Sequence, residues 1–342
     1  MSTTPLLSVF IPAFNAAAHI REAVESVLES GFADFELVVV DDGSTDHTAE
    51  VVAAIRHPAL RLIRQPANRG VGATRRDGIA ALRGRYLGLL DADDIAVRGR
   101  FERQVAQLEA AGGPDIIGGA IEYFGDVGGV IAFPAADAAI RAGLLFHDLP
   151  LANPAVCLKL APLRAGRIAY AAAAGAEDYA LWVDAMIAGL RFANLPEVVT
   201  RMRRHGASLT RSAAAAVSEQ ARLVRRRLAG YLFPQMNDNE CAALVNALSV
   251  NLGGGQRWID GACALARAAA LAPAVAGIDG ARLRELLRRN FLRMLRHAAG
   301  NGSIDNEVLE MMTETNAYFE RWRMDDGGSL DAEIMALLAA GS

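Results

Sequence analysis

The chain has 342 residues, 52% of them hydrophobic and 22% charged, with a formal net charge of −4. That composition supports a full core over one or two domains, makes order rather than disorder the expectation, and argues against a protein built to bind nucleic acid, which would carry a basic excess. Its three cysteines, Cys157, Cys241 and Cys263, stand far apart without CxxC spacing, which points to a reducing compartment and away from a disulfide framework or zinc site.

No basic segment precedes the first apolar run, so no signal peptide is expected. No stretch reaches the roughly 18 uninterrupted apolar residues of a spanning helix. Leu6 to Pro12 reads as a buried strand stopped by proline, with Ala13-Phe14-Asn15 as the loop at its carboxyl end. A helix from about Ala18 to Ser30 carries Ile20, Val24, Val27 and Leu28 at helical spacing. Phe35 to Val40 is a second strand, running straight into Asp41-Asp42-Gly43-Ser44-Thr45-Asp46, a turn whose last residues suit the cap of a following helix. Arg61 to Arg64 is a weaker strand. Asn68-Arg69-Gly70-Val71 then opens a helix that turns Ile79 and Leu82 inward.

Tyr86 to Leu90 is an apolar run that ends in three carboxylates, Asp91, Asp93 and Asp94, around Ala92. A β-α-β-α alternation with short loops implies a parallel sheet wrapped by helices. The acidic groups at Asp41-Asp42 and Asp91 to Asp94 both end strands and should share one edge of it. In open α/β sheets ligands bind beyond the carboxyl ends of strands. Crowded carboxylates there suit Mn²⁺ or Mg²⁺, hard cations that take oxygen ligands. A solvated turn rich in Asp has the same composition.

A helix from about Arg98 to Ala111 and a strand from Ile116 to Tyr123 follow. Residues 125–174 are rich in Gly, Ala and Pro and read as irregular loops around an acceptor pocket. Glu177-Asp178-Tyr179 begins a helix with acids in its first turn, where the dipole favours them. Val198 to Arg203 is extended. From about Ser212 the pattern becomes helical only, which divides the chain into residues 1–211 and a helical region, 212–342.

Taken in order, the first 210 residues resemble the family 2 glycosyltransferases. The resemblance rests on Ser8 to Asn15, Phe35 to Asp46, Asn68 to Val71, Arg75 with Gly78, Asp91-Ala92-Asp93-Asp94, Glu177 to Trp182 and Arg204 to Thr210. Arg76 departs from the asparagine usual in the family. The resemblance implies a GT-A-type mixed, mainly parallel sheet flanked by helices, followed here by the smaller all-helical region. It implies an inverting, metal-dependent transfer of sugar from a nucleotide-sugar, a UDP-sugar favoured, to a saccharide or lipid-linked acceptor in bacterial surface-polysaccharide assembly.

Site roles follow from the same resemblance. Pro12, Ala13, Phe14, Asn15, Asp41 and Asp42 would hold the nucleotide base, with Asp42 accepting the uracil N–H. Asn68 and Gly70 would shape the adjoining loop. Asp91 would face the ribose beside Ala92, Asp93 would ligate Mn²⁺ or Mg²⁺, and His205 would contact the metal or diphosphate. Asp178 would be the base that takes the acceptor hydroxyl proton. Two readings of Arg75 stay open: a fork on the diphosphate or base, and a surface ion pair. Gly70-Val71-Gly72 is not a dinucleotide fingerprint, because Arg75 holds the third glycine position.

The apolar face Leu283, Leu286, Leu287, Phe291, Met294 and Leu295, opposite several arginines, fits a core-packing helix with a solvated face, which is the expectation. It also fits a helix lying on an anionic membrane. The location implied is cytoplasmic, with peripheral contact at the inner membrane face as the alternative. Among rival functions, a processive synthase is disfavoured because Gln256-Arg257-Trp258 is not its QxxRW motif. A non-catalytic sugar-nucleotide-binding or scaffold module acting through the C-terminal helices is the reading from a different class.

Overall fold

The apolar runs that end at carboxylates become parallel strands on either side of the first strand in a computed structural model of the chain. It describes residues 4–146, 150–171, 176–204, 214–249 and 256–300. The strands are β1 (Leu7–Ala13), β2 (Phe35–Asp41), β3 (Leu60–Arg64), β4 (Tyr86–Leu89), β5 (Ile95–Ala96), β6 (Ile116–Gly125), β7 (Gly129–Ile131), β8 (Cys157–Lys159) and β9 (Phe192–Arg204). They form one mixed sheet in the order β3-β2-β1-β4-β8-β6-β9-β5, with β7 paired to β6.

β3, β2, β1 and β4 run parallel. β8 is antiparallel to both β4 and β6. β6 and β9 are parallel, with a register irregularity near Ala120. The helices of this part are α1 (Ile20–Leu28), α2 (Thr48–Ala53), α3 (Val71–Ile79), α4 (Arg100–Glu109), α5 (Asp137–Gly143), α6 (Ala161–Arg164) and α7 (Glu177–Ile187).

Alternation along β1 decides which helix covers which face. Leu7, Val9 and Ile11 are fully buried in one cluster with Ile20, Val24 and Val27 of α1 and Phe101, Val105 and Leu108 of α4. Phe10 points to the other face, against α3, where a β-carbon at Gly78 would lie 2.4 Å from its ring. Burying an aliphatic side chain of this size contributes about 1.5–3 kcal/mol. The sheet is therefore held from both sides at the strand that separates β2 from β4.

The region expected to be irregular, 125–174, contributes more to the sheet than its composition suggested. Cys157–Lys159 sits as β8 between β4 and β6. Three residues are too short a run for periodicity to reveal, and the pairing is long-range.

The chain divides into two contact-dense units, 1–140 with 150–221, and 141–149 with 222–342. The chain continues after β9 with helices Ala214–Leu232, Asp238–Leu248, Gln256–Leu271 and Gly280–Gly300. Within the second unit Asn237 caps its helix through a capping box with Glu240, which satisfies otherwise unpaired N–H groups. Leu283, Leu287, Phe291, Met294 and Leu295 are buried, and the Phe291 ring lies 6.4 Å from that of Trp258. That apolar stripe is occupied by protein packing, as the core-helix reading expects. No helix among the described residues is long and apolar enough to cross a membrane.

Candidate functional site

The loop after β1 and the loop after β2 are stitched together by short polar side chains. The Asn15 amide donates to Ser44 Oγ at 2.9 Å, and Asn15 Oδ1 accepts the Thr45 amide at 2.9 Å. Asn15 adopts φ of +49°, a left-handed conformation that asparagine tolerates better than most residues. Asp46 Oδ2 accepts the Ala17 amide and its Oδ1 the Thr48 amide, so Asp46 ties the first loop to the start of α2. Pro12 is partly exposed, Ala13 is buried and Phe14 is exposed along this rim.

Asp41 and Asp42 are both buried. Asp41 Oδ1 accepts the Ser44 amide at 3.2 Å. Asp42 is committed to the chain itself: Oδ1 accepts the Arg69 amide at 3.0 Å and Oδ2 the Gly70 amide at 2.9 Å. Asn68 Oδ1 also accepts the Gly70 amide. The second acid of the pair therefore shapes the 68–70 loop, to which the sequence assigned a shaping role of its own.

Asp42 follows β2 and Asp91 follows β4, with β1 between them and all three parallel. Two strand spacings put these ends roughly 10 Å apart on one sheet edge.

At the β4 end, Asp91 and Asp93 are partly exposed, with Ala92 between them, and Asp94 is buried. Asp94 Oδ1 accepts the Arg203 amide at 2.8 Å, and the Asp93 carbonyl accepts Arg203 Nε at 3.1 Å. Burial pushes the Asp94 carboxyl up to about 9, and Asp91 and Asp93 add to the rise. Asp91 is also raised, by burial first, against the pull of Arg75.

This crowding fits a hard divalent cation, which carboxylate oxygens ligate and which would relieve the repulsion. Among the described residues no three His, Cys, Asp or Glu side chains are placed to hold a metal by themselves. His205 lies outside the described residues.

Arg75 joins this cluster to the start of α7. It is 5% exposed; Nη2 donates to Asp91 Oδ1 and Nη1 to Glu177 Oε1, both at 2.8 Å. The Tyr170 ring lies 5.8 Å from the guanidinium carbon. Burial works against the arginine charge, but Asp91, Tyr170, Glu177 and Asp178 together push its pKa above the ordinary value.

Asp178, next to Glu177, is partly exposed and accepts the Tyr179 amide at 2.7 Å. Burial raises its pKa and Glu177 adds to the rise, while Arg75 pulls the other way. A carboxylate with a raised pKa and some exposure is a stronger base than an ordinary surface aspartate.

Three participants escaped the sequence reading. Glu177 entered it as part of the Glu177 to Trp182 motif and as a dipole complement, with no site role, and Tyr170 not at all. Arg100 is fully buried, and its Nη2 donates to the Leu89 carbonyl two residues before Asp91. A polar pair, Arg100 and Gln104, beside the apolar stripe of α4 was the available signal. A cavity of about 360 Å³ beside α1, lined by Glu22, Glu29, Ile95 and Arg98 among others, includes none of the predicted site residues.

A mixed sheet whose central parallel strands deliver carboxylates to one edge is the GT-A architecture, and S. aureus TarS 1–349, solved in complex with UDP-GlcNAc, shares it. The two superpose with a TM-score of 0.58 at 17% identity, over 94% of this chain and 92% of that one. Residues 8–139 match the family described as Glycosyl transferase family 2. It is 43% identical over 108 residues to the succinoglycan biosynthesis protein ExoO of Rhizobium meliloti (strain 1021), covering 32% of this chain and 31% of that protein. It is 36% identical over 107 residues to the uncharacterized glycosyltransferase EpsJ of Bacillus subtilis (strain 168), covering 31% of each. The matched segment thus spans 31% of the length of either relative.

Proposed function

We propose that the protein is a glycosyltransferase of polysaccharide biosynthesis that moves a sugar from a nucleotide-sugar, a UDP-sugar favoured, to a saccharide or lipid-linked acceptor with inversion. The observation that carries this reading is the Arg75 bridge: one buried guanidinium bonds Asp91 of the acidic turn and Glu177 beside Asp178. The donor-side acids and the candidate base therefore occupy one neighbourhood. The match to Glycosyl transferase family 2 supports the same class of reaction.

In this reading the loops after β1 and β2 form the rim for the base, with Pro12 to Asn15 on one side and Asp41 and Asp42 on the other. Asp91 faces the ribose. Asp93, with the substrate diphosphate, would hold Mn²⁺ or Mg²⁺. The cation, when bound, neutralises charge that develops on the leaving diphosphate. Asp178 takes the proton from the acceptor hydroxyl as that oxygen attacks the anomeric carbon from the face opposite the nucleotide. Its raised pKa strengthens it as an acceptor, and the cost is a protonated, inactive fraction at low pH. Holding donor, acceptor and base in line supplies much of the remaining acceleration.

The test combines a nucleotide-sugar screen with one variant. The wild-type chain should bind UDP in the presence of Mn²⁺ and hydrolyse or transfer at least one sugar from a panel of UDP- and GDP-sugars. Asp178→Asn should keep UDP binding within about threefold and lose turnover by about 10² or more. Turnover retained by Asp178→Asn removes the base assignment, and a wild-type chain that binds no nucleotide removes the whole reading.

A further inference from the structure

The sequence leaves Arg75 open to a fork on the diphosphate or base, yet each of its terminal nitrogens already donates at 2.8 Å to a carboxylate, Asp91 after β4 and Glu177 at the start of α7. Asp91 and Glu177 are 86 residues apart in the chain, and no backbone pairing joins β4 to α7. A planar fork suits this task, since it addresses two carboxylates in fixed relative directions where a lysine would hold one.

The surroundings make the bridge stiff. α3, which carries Arg75, approaches Ala171 and Glu177 closely: a β-carbon at Gly72 would lie 2.5 Å from the Ala171 carbonyl oxygen and 3.4 Å from Glu177 Cβ. On its other side the helix meets Phe10 of β1 through Gly78. The residue that introduces α7, Ala176, has φ of +128°, a conformation that L-residues other than glycine rarely adopt and that carries a strain cost. The neighbouring Glu177–Arg75 ion pair, 9% and 6% exposed at its side chains, is placed to offset that cost and fix where α7 begins.

We propose that Arg75 is a positioning residue, a buried strut that sets the place of Asp178 relative to the donor-side Asp91 and does not itself bind the diphosphate. The inference rests on the proposed roles of Asp178 and Asp91. Coupling runs through a rigid contact: Asp91 fixes one nitrogen of the fork, Glu177 takes the other, and Asp178 is the next residue along the helix. Loss of the fork lets the start of α7 relax while the sheet edge stays in place. A misplacement of about 1 Å costs on the order of 10² in rate.

The experiment uses the full chain, with UDP plus Mn²⁺ as the binding probe and hydrolysis of the preferred nucleotide-sugar as the turnover probe. Arg75→Gln should leave the Kd for UDP within about threefold and lower kcat by about 10². Glu177→Gln should behave likewise, and the double variant should be no worse than the poorer single one, because both cut the same strut.

The acid limb of the kcat profile separates positioning from general damage. Among the described residues, the titratable groups around Asp178 are Glu177 on its own helix, Arg75 on α3, Asp91 beyond β4 and the neutral Tyr170 hydroxyl. Removing the Arg75 charge should move that limb to higher pH, and removing the Glu177 charge should move it lower. Opposite displacements support the strut. Additive losses, displacements in one direction, or a more than tenfold loss of UDP affinity in Arg75→Gln overturn it. If Arg75→Gln does not fold, Glu177→Gln decides alone: a limb that stays put with turnover intact overturns the proposal. A wild-type chain without nucleotide binding is a different failure, since it removes the proposed function and the strut together.

Discussion

Replacing Arg100 by methionine keeps most of the side-chain volume and deletes a buried guanidinium that makes contacts in three directions. Nη1 donates to the Pro154 carbonyl and Thr200 Oγ1, both at 2.8 Å. Nη2 donates to the carbonyls of Leu89 at 2.9 Å and Val156 at 3.3 Å, and Nε to Gln104 Oε1 at 2.9 Å. Each hydrogen bond to a charged group contributes about 1.5–3 kcal/mol, but the charge is fully desolvated and its removal returns several kcal/mol. Some acceptors are also covered twice: Val156 O keeps the Leu89 amide and Pro154 O keeps the Thr200 hydroxyl. The balance is a net loss of about 2–4 kcal/mol, because backbone carbonyls stay buried when the arginine goes.

For a unit of about 200 residues that loss lowers Tm by roughly 4–16 °C. Thermal unfolding followed by circular dichroism measures it. Arg100→Lys is the control: one ammonium cannot span acceptors on β4, β9 and the turn at Asn153–Ala155, so lysine should recover less than half of the loss. UDP affinity should fall in both variants, since the Leu89 carbonyl lies two residues before Asp91. A loss of stability below about 1 kcal/mol in Arg100→Met, or full recovery by lysine, would refute the network argument.

Two further outcomes follow from packing and charge. Glu36, 1% exposed, accepts Ser8 Oγ, the Arg83 amide and the side chains of Arg83 and Arg61. Burial pushes its pKa up, but these donors outweigh it and the carboxyl lies below its ordinary value. Its contribution is therefore present above the unfolded-state pKa of about 4.3 and lost as pH falls through the lower folded value. Glu36→Gln should cost about 1–2 kcal/mol at pH 7, discounted because Arg83 is half exposed, and should flatten the acid limb of the stability curve measured in urea. Gly72→Ala should lower Tm even though alanine favours a helix by about 1 kcal/mol, because its β-carbon meets the Ala171 carbonyl; a stabilised variant would show that the α3 approach is loose.

Much of this protein was legible in the sequence because its signals are local. Apolar runs at Leu7, Phe35 and Tyr86 ended in loops or acids, and the alternation with amphipathic helices required parallel pairing, so Asp42 and Asp91 were bound to reach one edge. Their chemistry was equally plain, since adjacent carboxylates repel wherever they are placed. What the chain order could not express is the set of contacts made across long separations. β8 is three residues long and enters the sheet by pairing alone. Asp42 bonds the amides at 69 and 70, 27 and 28 residues away, and only the packed loop reveals that its oxygens are already engaged. Arg75, open in the sequence to a fork on the diphosphate or base or to a surface ion pair, became a buried bridge once α3 and α7 met. Sequence periodicity reports which face of an element is apolar. It does not report which buried charge lies opposite which, because that depends on how elements are stacked, and stacking is settled only when the whole core closes.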